Sequence, residues 1–105
     1  MNEIIIDVSF HPGEELAEKL GEMNLSARDF AKETQLSESY IYDVLSCKAS
    51  ITPKEAVAFE MVTKIPASLW LKMQHDYDDF ILSQKRSAWV ENFLKFAKPS
   101  RVAVL

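Results

Sequence analysis

An all-α fold is the expectation for this sequence, and three of its features point there. Its 105 residues include only two glycines and four prolines, while Leu, Ala, Glu, Lys and Met, all good helix formers, fill the middle of the chain. Capping residues and prolines cut that middle into short segments, and within each segment apolar residues recur at three- and four-residue spacing. With 48% hydrophobic residues, the chain suffices for one compact core but is too short for two ordinary domains. The expected layout is an N-terminal arm or short strand over residues 1–10, a helical body over 11–82, and a C-terminal helix and tail over 83–105 packed on the same body.

In the arm, Ile4, Ile6, Val8 and Phe10 alternate with Ile5, Asp7 and Ser9, a short-strand pattern. His11-Pro12-Gly13 breaks it. Glu14 and Glu15 suit the positive end of a helix, and Leu16, Leu20 and Met23 follow at helical spacing, which predicts a first helix from about Pro12 to Met23. Ser26 is an N-cap for a second helix running to about Thr34 through the apolar pair Phe30 and Ala31. Ser37 caps a third, whose Tyr40, Ile41, Val44 and Leu45 form one buried face and which ends near Cys47.

Thr52-Pro53-Lys54-Glu55 combines an N-cap, a proline at the first helical position and a capping-box acid, so a fourth helix starts there. Its expected core face is Ala56, Phe59, Met61 or Val62, and Ile65, and Pro66 closes it. A fifth helix, roughly Ala67 to Leu82, presents Leu69, Trp70, Met73, Tyr77, Phe80 and Ile81 to the core. A sixth, about Lys85 to Phe96, carries Trp89, Phe93 and Phe96 with Val90 and Leu94 beside them, before Pro99 and a final Arg101–Leu105 that reads as a strand or a frayed end.

The formal charge of −4 is unevenly spread: residues 1–82 hold 7 Lys/Arg against 15 Asp/Glu, whereas Lys85, Arg86, Lys95, Lys98 and Arg101 face only Glu91 beyond them. An acidic chain is an unfavourable composition for nucleic-acid binding, because phosphate neutralisation supplies most non-specific affinity. One cysteine, Cys47, allows no internal disulfide, and Met1-Asn2-Glu3 lacks a secretory n-region, so a cytoplasmic protein is expected. No apolar run approaches the roughly 20 residues of a membrane span.

Catalysis is not expected. Cys47 has no partner marking a nucleophile, and a serine triad would need a histidine free of structural duty. His11 reads as a structural cap. His75, Asp78 and Asp79 share a helical face, but a solvated acidic face beside the core stripe explains them better than a metal, since nothing completes a ligand set. No metal or cofactor is expected.

The second and third helices are short and joined by a tight turn. Ala31 supplies the small residue where their backbones approach, and Ile41 and Val44 lock the third against the second. Such a pair lets the third helix enter a DNA major groove while the second crosses the backbone, although any αα-hairpin core shows the same spacing.

More specific is a set of motifs spread over residues 11–80: His11-Pro12-Gly13-Glu14, Leu25-Ser26, Ala31, Leu36-Ser37-Glu38-Ser39, Ile51-Thr52-Pro53, and Leu69-Trp70-Leu71-Lys72-Met73-Gln74 with Tyr77-Asp78. In these the sequence resembles the HigA-type antitoxins, also called plasmid-maintenance antidote or virulence-associated I proteins, of the lambda-repressor-like helix-turn-helix superfamily. The resemblance implies a five-helix domain of that type, here with an added C-terminal helix. It also implies a homodimer that represses its own operon at a palindromic double-stranded operator and neutralises a small RelE-like ribonuclease toxin.

Carried over by position, Ser37, Glu38, Ser39, Tyr40 and Asp43 occupy the base-facing part of the recognition helix. Ser26, Arg28, Lys48 and Ser50 occupy phosphate-contacting positions, with backbone N–H groups at the start of the second helix adding to them. Tyr42 lies on the side of Glu38 and Ser39, either facing DNA or simply exposed.

The sequence departs from the family pattern in two places. Ser46-Cys47 stands where an Asn-Gly pair is usual, and Gln35 holds the turn-glycine position, each at a cost of about one or two kcal/mol. From Ser26 to Thr52 three basic residues oppose four acidic ones, a net of −1, with Glu38 and Asp43 on the recognition helix. That acidity keeps a second reading open, a protein-binding adaptor of the same fold without useful DNA affinity. The basic C-terminal helix reads as a dimer interface or core helix ahead of a DNA arm or toxin-binding segment.

Overall fold

In the computed structural model, which describes residues 10–96, five helices follow one another: α1 Pro12–Met23, α2 Ala27–Thr34, α3 Glu38–Leu45, α4 Pro53–Thr63 and α5 Ala67–Phe96. The architecture is all-α, and the two terminal segments read as strands lie outside the described residues except for Phe10, which is exposed.

Each of the first four helices starts on a side chain that accepts an otherwise orphaned backbone N–H. His11 Nδ1 takes Gly13 N–H at 2.9 Å, Ser26 Oγ takes Asp29 N–H at 3.0 Å, and Ser37 Oγ takes Tyr40 N–H at 3.0 Å. At α4 the Glu55 carboxylate accepts from both the N–H and the hydroxyl of Thr52, the reciprocal half of the capping box. That hydroxyl contact holds the Glu55 carboxyl below the usual carboxylate range, against a smaller opposing effect of burial.

The helices stop on left-handed residues: Asn24 (φ 56°), Gln35 (φ 61°), Cys47 (φ 63°) and Lys64 (φ 68°). For α1, α2 and α3 the stop is a Schellman motif, visible in the 6→1 bonds from Leu25 to Leu20, Leu36 to Ala31, and Lys48 to Asp43. Neither glycine serves these turns. Gly13 is spent on a close approach instead, for a Cβ there would overlap the Val44 carbonyl of α3.

The core collects Leu16 and Leu20 of α1, Phe30 and Ala31 of α2, Ile41 and Val44 of α3, Ile51, Ala56 and Phe59 of α4 and its approach, and Trp70 of α5. Phe30, Phe59 and Trp70 stack edge to face in series, with ring centroids 5.1 and 5.3 Å apart, and so tie α2, α4 and α5 together. Of the Met61-or-Val62 pair, Val62 packs on the core and Met61 is exposed; Met23, the last residue of α1, and Leu69 in the first turn of α5 are exposed as well.

The fifth and sixth helices expected from the sequence are one continuous helix of 30 residues, about 45 Å long. Neither glycine nor proline occurs between Ala67 and Phe96, so nothing at Ser83-Gln84 ends it. What changes there is the apolar face. Trp70, Gln74, Tyr77 and Ile81 line the side against the body, whereas Leu82, Trp89 and Phe93 recur on a different side, and from Leu82 to Lys95 every side chain is exposed.

Candidate nucleic-acid interface

Helices α2 and α3 pack directly on each other, with Ala31 buried between them and Ile41 and Val44 of α3 wholly buried. Burial of that face fixes which side of α3 is presented. Glu38, Ser39, Tyr42, Asp43 and Ser46 are exposed, and at 100° per residue they fall within about 140° of arc. Ser26, Arg28, Ser37, Lys48 and Ser50, also exposed, belong to the two helix starts and the segment after α3.

Tyr40 differs from the other expected site residues. Its ring is half-buried against the core and its hydroxyl donates to the Ser50 carbonyl at 2.7 Å, while burial, with Glu55 adding to it, pushes its pKa far up. The hydroxyl therefore stays protonated and engaged within the chain. Ser26 and Ser37 spend one acceptor site each on their helix caps, which leaves each hydroxyl able to donate to a further partner.

Electrostatically the face is mixed. Asp29 sits in the first turn of α2 and Glu38 in that of α3, at the ends where backbone N–H groups would otherwise attract phosphate. Arg28 and Lys48 are the exposed cations of the helix starts and the following segment. The thiol of Cys47 is pushed up by burial and by Glu14, so it stays protonated rather than becoming a nucleophile.

Behind this face lies a set of polar residues whose role the sequence did not disclose. Gln74 is buried on α5; its Oε1 accepts from Ile51 N–H at 2.8 Å and its Nε2 donates to Asp78 at 3.0 Å. The His11 ring meets Tyr77 edge to face at 4.8 Å, with the Ala49 backbone against it. Residues 49–51 are thus held from α1, α3 and α5. The available signal was Gln74 itself, a polar residue at core spacing from Trp70 and Tyr77.

His75 pairs with Asp79 at 3.2 Å on an exposed face, and among the described residues no cluster of three or more metal-ligating side chains forms. No described helix is long and apolar enough to cross a membrane.

A buried-faced α2 and an outward α3, capped by serines and locked by His11, Gly13 and Gln74, constitute a helix-turn-helix. No protein-family model matches the sequence. The HTH-type transcriptional regulator YddM of Escherichia coli K12 is 33% identical over 64 residues, spanning 61% of this chain and 68% of that protein. The chain belongs to the helix-turn-helix transcriptional regulators. A plasmid-maintenance antidote protein from Nostoc punctiforme superposes with a TM-score of 0.79 at 25% identity, over 85% of this chain and 98% of that one. A HigA-family addiction-module antidote from Coxiella burnetii gives 0.72 at 28% identity, over 86% and 96%. Antitoxin HigA of Pseudomonas aeruginosa, solved with its promoter, shares the fold with a TM-score of 0.69 at 22% identity, over 88% and 98%. These relatives are transcriptional regulators and antidote proteins rather than enzymes.

Proposed function

We propose that this chain is an autorepressing antitoxin that reads its own operator through α3 and neutralises a small RelE-like ribonuclease toxin. The observation that carries the DNA half is the geometry of α3: its apolar face is sealed while Glu38, Ser39, Tyr42 and Asp43 face outward, flanked by Arg28 and Lys48. Carboxylates on a reading helix accept hydrogen bonds from cytosine N4, and phosphate attraction is left to few cations, so binding is selective rather than strong, with a salt dependence set by those few contacts. Ser37, Glu38, Ser39 and Asp43, with Tyr42, set sequence preference. Ser26, Arg28, Lys48 and Ser50 set affinity.

The working unit is a homodimer, formed along the distal half of α5. Leu82, Trp89 and Phe93 expose one apolar stripe, and Trp89 and Phe93 are 61% and 67% exposed in the single chain. The toxin half of the proposal rests on kinship with antidote proteins alone, and co-purification with the product of an adjacent toxin-like gene tests it.

Fluorescence-anisotropy titration of the protein's own upstream region against a scrambled duplex, at two salt concentrations, tests the DNA half. Arg28→Ala and Lys48→Ala should each weaken binding on all sequences and flatten the salt dependence by about 0.9 in log–log slope for each phosphate no longer neutralised. Unchanged binding by both variants would overturn the placement. No selective complex at all would favour the adaptor reading, for which the net charge of −1 across residues 26–52 is the motive.

A further inference from the structure

The residues that should contact phosphate after α3, Lys48 and Ser50, stand on a segment without regular secondary structure between α3 and α4. Left to itself, such a segment would lose affinity to the entropy of ordering it on DNA. Here the backbone is tied at closely spaced residues. Lys48 N–H is bonded to the Asp43 carbonyl at 2.7 Å, the Ser50 carbonyl accepts from Tyr40, and Ile51 N–H donates to Gln74. Tyr40 is on the recognition helix and Gln74 on α5, so the segment is pinned to both.

From this geometry we infer that Tyr40 and Gln74 are positioning residues for DNA binding: they hold Lys48 and Ser50 in register with the base-facing side of α3. The inference rests on the DNA-binding reading of that face. Gln74 is 6% exposed and belongs to α5, so it acts on DNA only through Ile51 and the segment it anchors. Asp78 orients the Gln74 amide so that Oε1 and not Nε2 meets Ile51 N–H. Tyr40 is committed to Ser50 and works through that residue in the same way.

A double-mutant cycle on the full chain tests this, with operator affinity as the readout. Gln74→Met keeps length and apolar stem but removes the acceptor; Tyr40→Phe removes only the hydroxyl and serves as the variant least able to disturb folding. Each should weaken binding about threefold to tenfold and lower the salt slope, as release of one held phosphate anchor implies. In a background carrying both Lys48→Ala and Ser50→Ala the same substitutions should change affinity by less than about twofold, because the side chains they position are already gone. In the free protein, Gln74→Met should speed hydrogen exchange at Lys48 to Ile51 more than elsewhere.

A purely structural role would instead lower thermal stability equally in both backgrounds and leave operator affinity of the folded protein unchanged. That result, with Lys48→Ala alone still weakening binding, would overturn the inference while leaving the DNA-binding face intact. Wild-type protein showing no selective complex would overturn the face and the inference with it.

Discussion

Replacing Gln35 by glycine should stabilise the protein, against the usual tendency of substitutions. Gln35 sits at φ 61°, ψ 31°, closing α2 with its N–H bonded to the Lys32 carbonyl. An L-residue held there carries roughly 1–2 kcal/mol of Cβ strain that glycine avoids. Glycine's larger unfolded-state entropy returns about 0.5–1 kcal/mol. The Gln35 side chain is exposed and makes no hydrogen bond among the described residues, so its removal forfeits little else. The net gain is about 0.5–1 kcal/mol, or some 2–8 °C in Tm for a domain of this size. Two further left-handed stops rank the effect. Cys47→Gly should gain less, since its half-buried thiol gives up packing, and Asn24→Gly least, since asparagine already tolerates this region. Differential scanning calorimetry on the three variants and on Gln35→Ala, which keeps the strain, measures the series. A Gln35→Gly protein no more stable than Gln35→Ala would refute the strain argument.

The two glycines should respond in opposite ways. Gly21→Ala, in open space within α1, should raise stability by about 1 kcal/mol, whereas Gly13→Ala should cost several kcal/mol because α1 must retreat from the Val44 carbonyl; chemical denaturation reads both. His11 should make stability pH-dependent: burial lowers its pKa despite the Ala49 backbone, Asp78 of α5 and Glu14 of α1. The folded state therefore binds fewer protons, so Tm should be flat above about pH 6.5 and fall as pH drops from there through the lowered folded value, a step that His11→Asn removes. Trp89→Glu with Phe93→Glu should convert the dimer to monomer in sedimentation without lowering helix content, since both side chains are exposed in the single chain.

Most of the fold was legible because its signals are local. Ser26, Ser37, Thr52 with Pro53, and Pro66 mark helix boundaries through backbone chemistry that does not depend on the rest of the chain. The fusion of the last two helices was not legible, since the shift of apolar face at Leu82 looks in sequence like a break, and only the absence of a terminating residue argues otherwise. At the interface, the outward face of α3 follows from Ile41 and Val44 being apolar. The hydrogen bonds of Gln74 with Ile51, 23 residues away, and of Tyr40 with Ser50 depend on tertiary packing that no local pattern encodes. Gly13 is intermediate: its place in a helix start was visible, its collision with Val44 was not.

A hydroxyl-radical footprint of the protein on its own upstream region tests the central claim most directly, that two copies of α3 read DNA from one dimer. The account predicts two protected patches of equal width, centred about one helical turn (10–10.5 base pairs) apart and fading together as salt is raised. Uniform protection without phase, or none at concentrations that saturate the toxin complex, would contradict it.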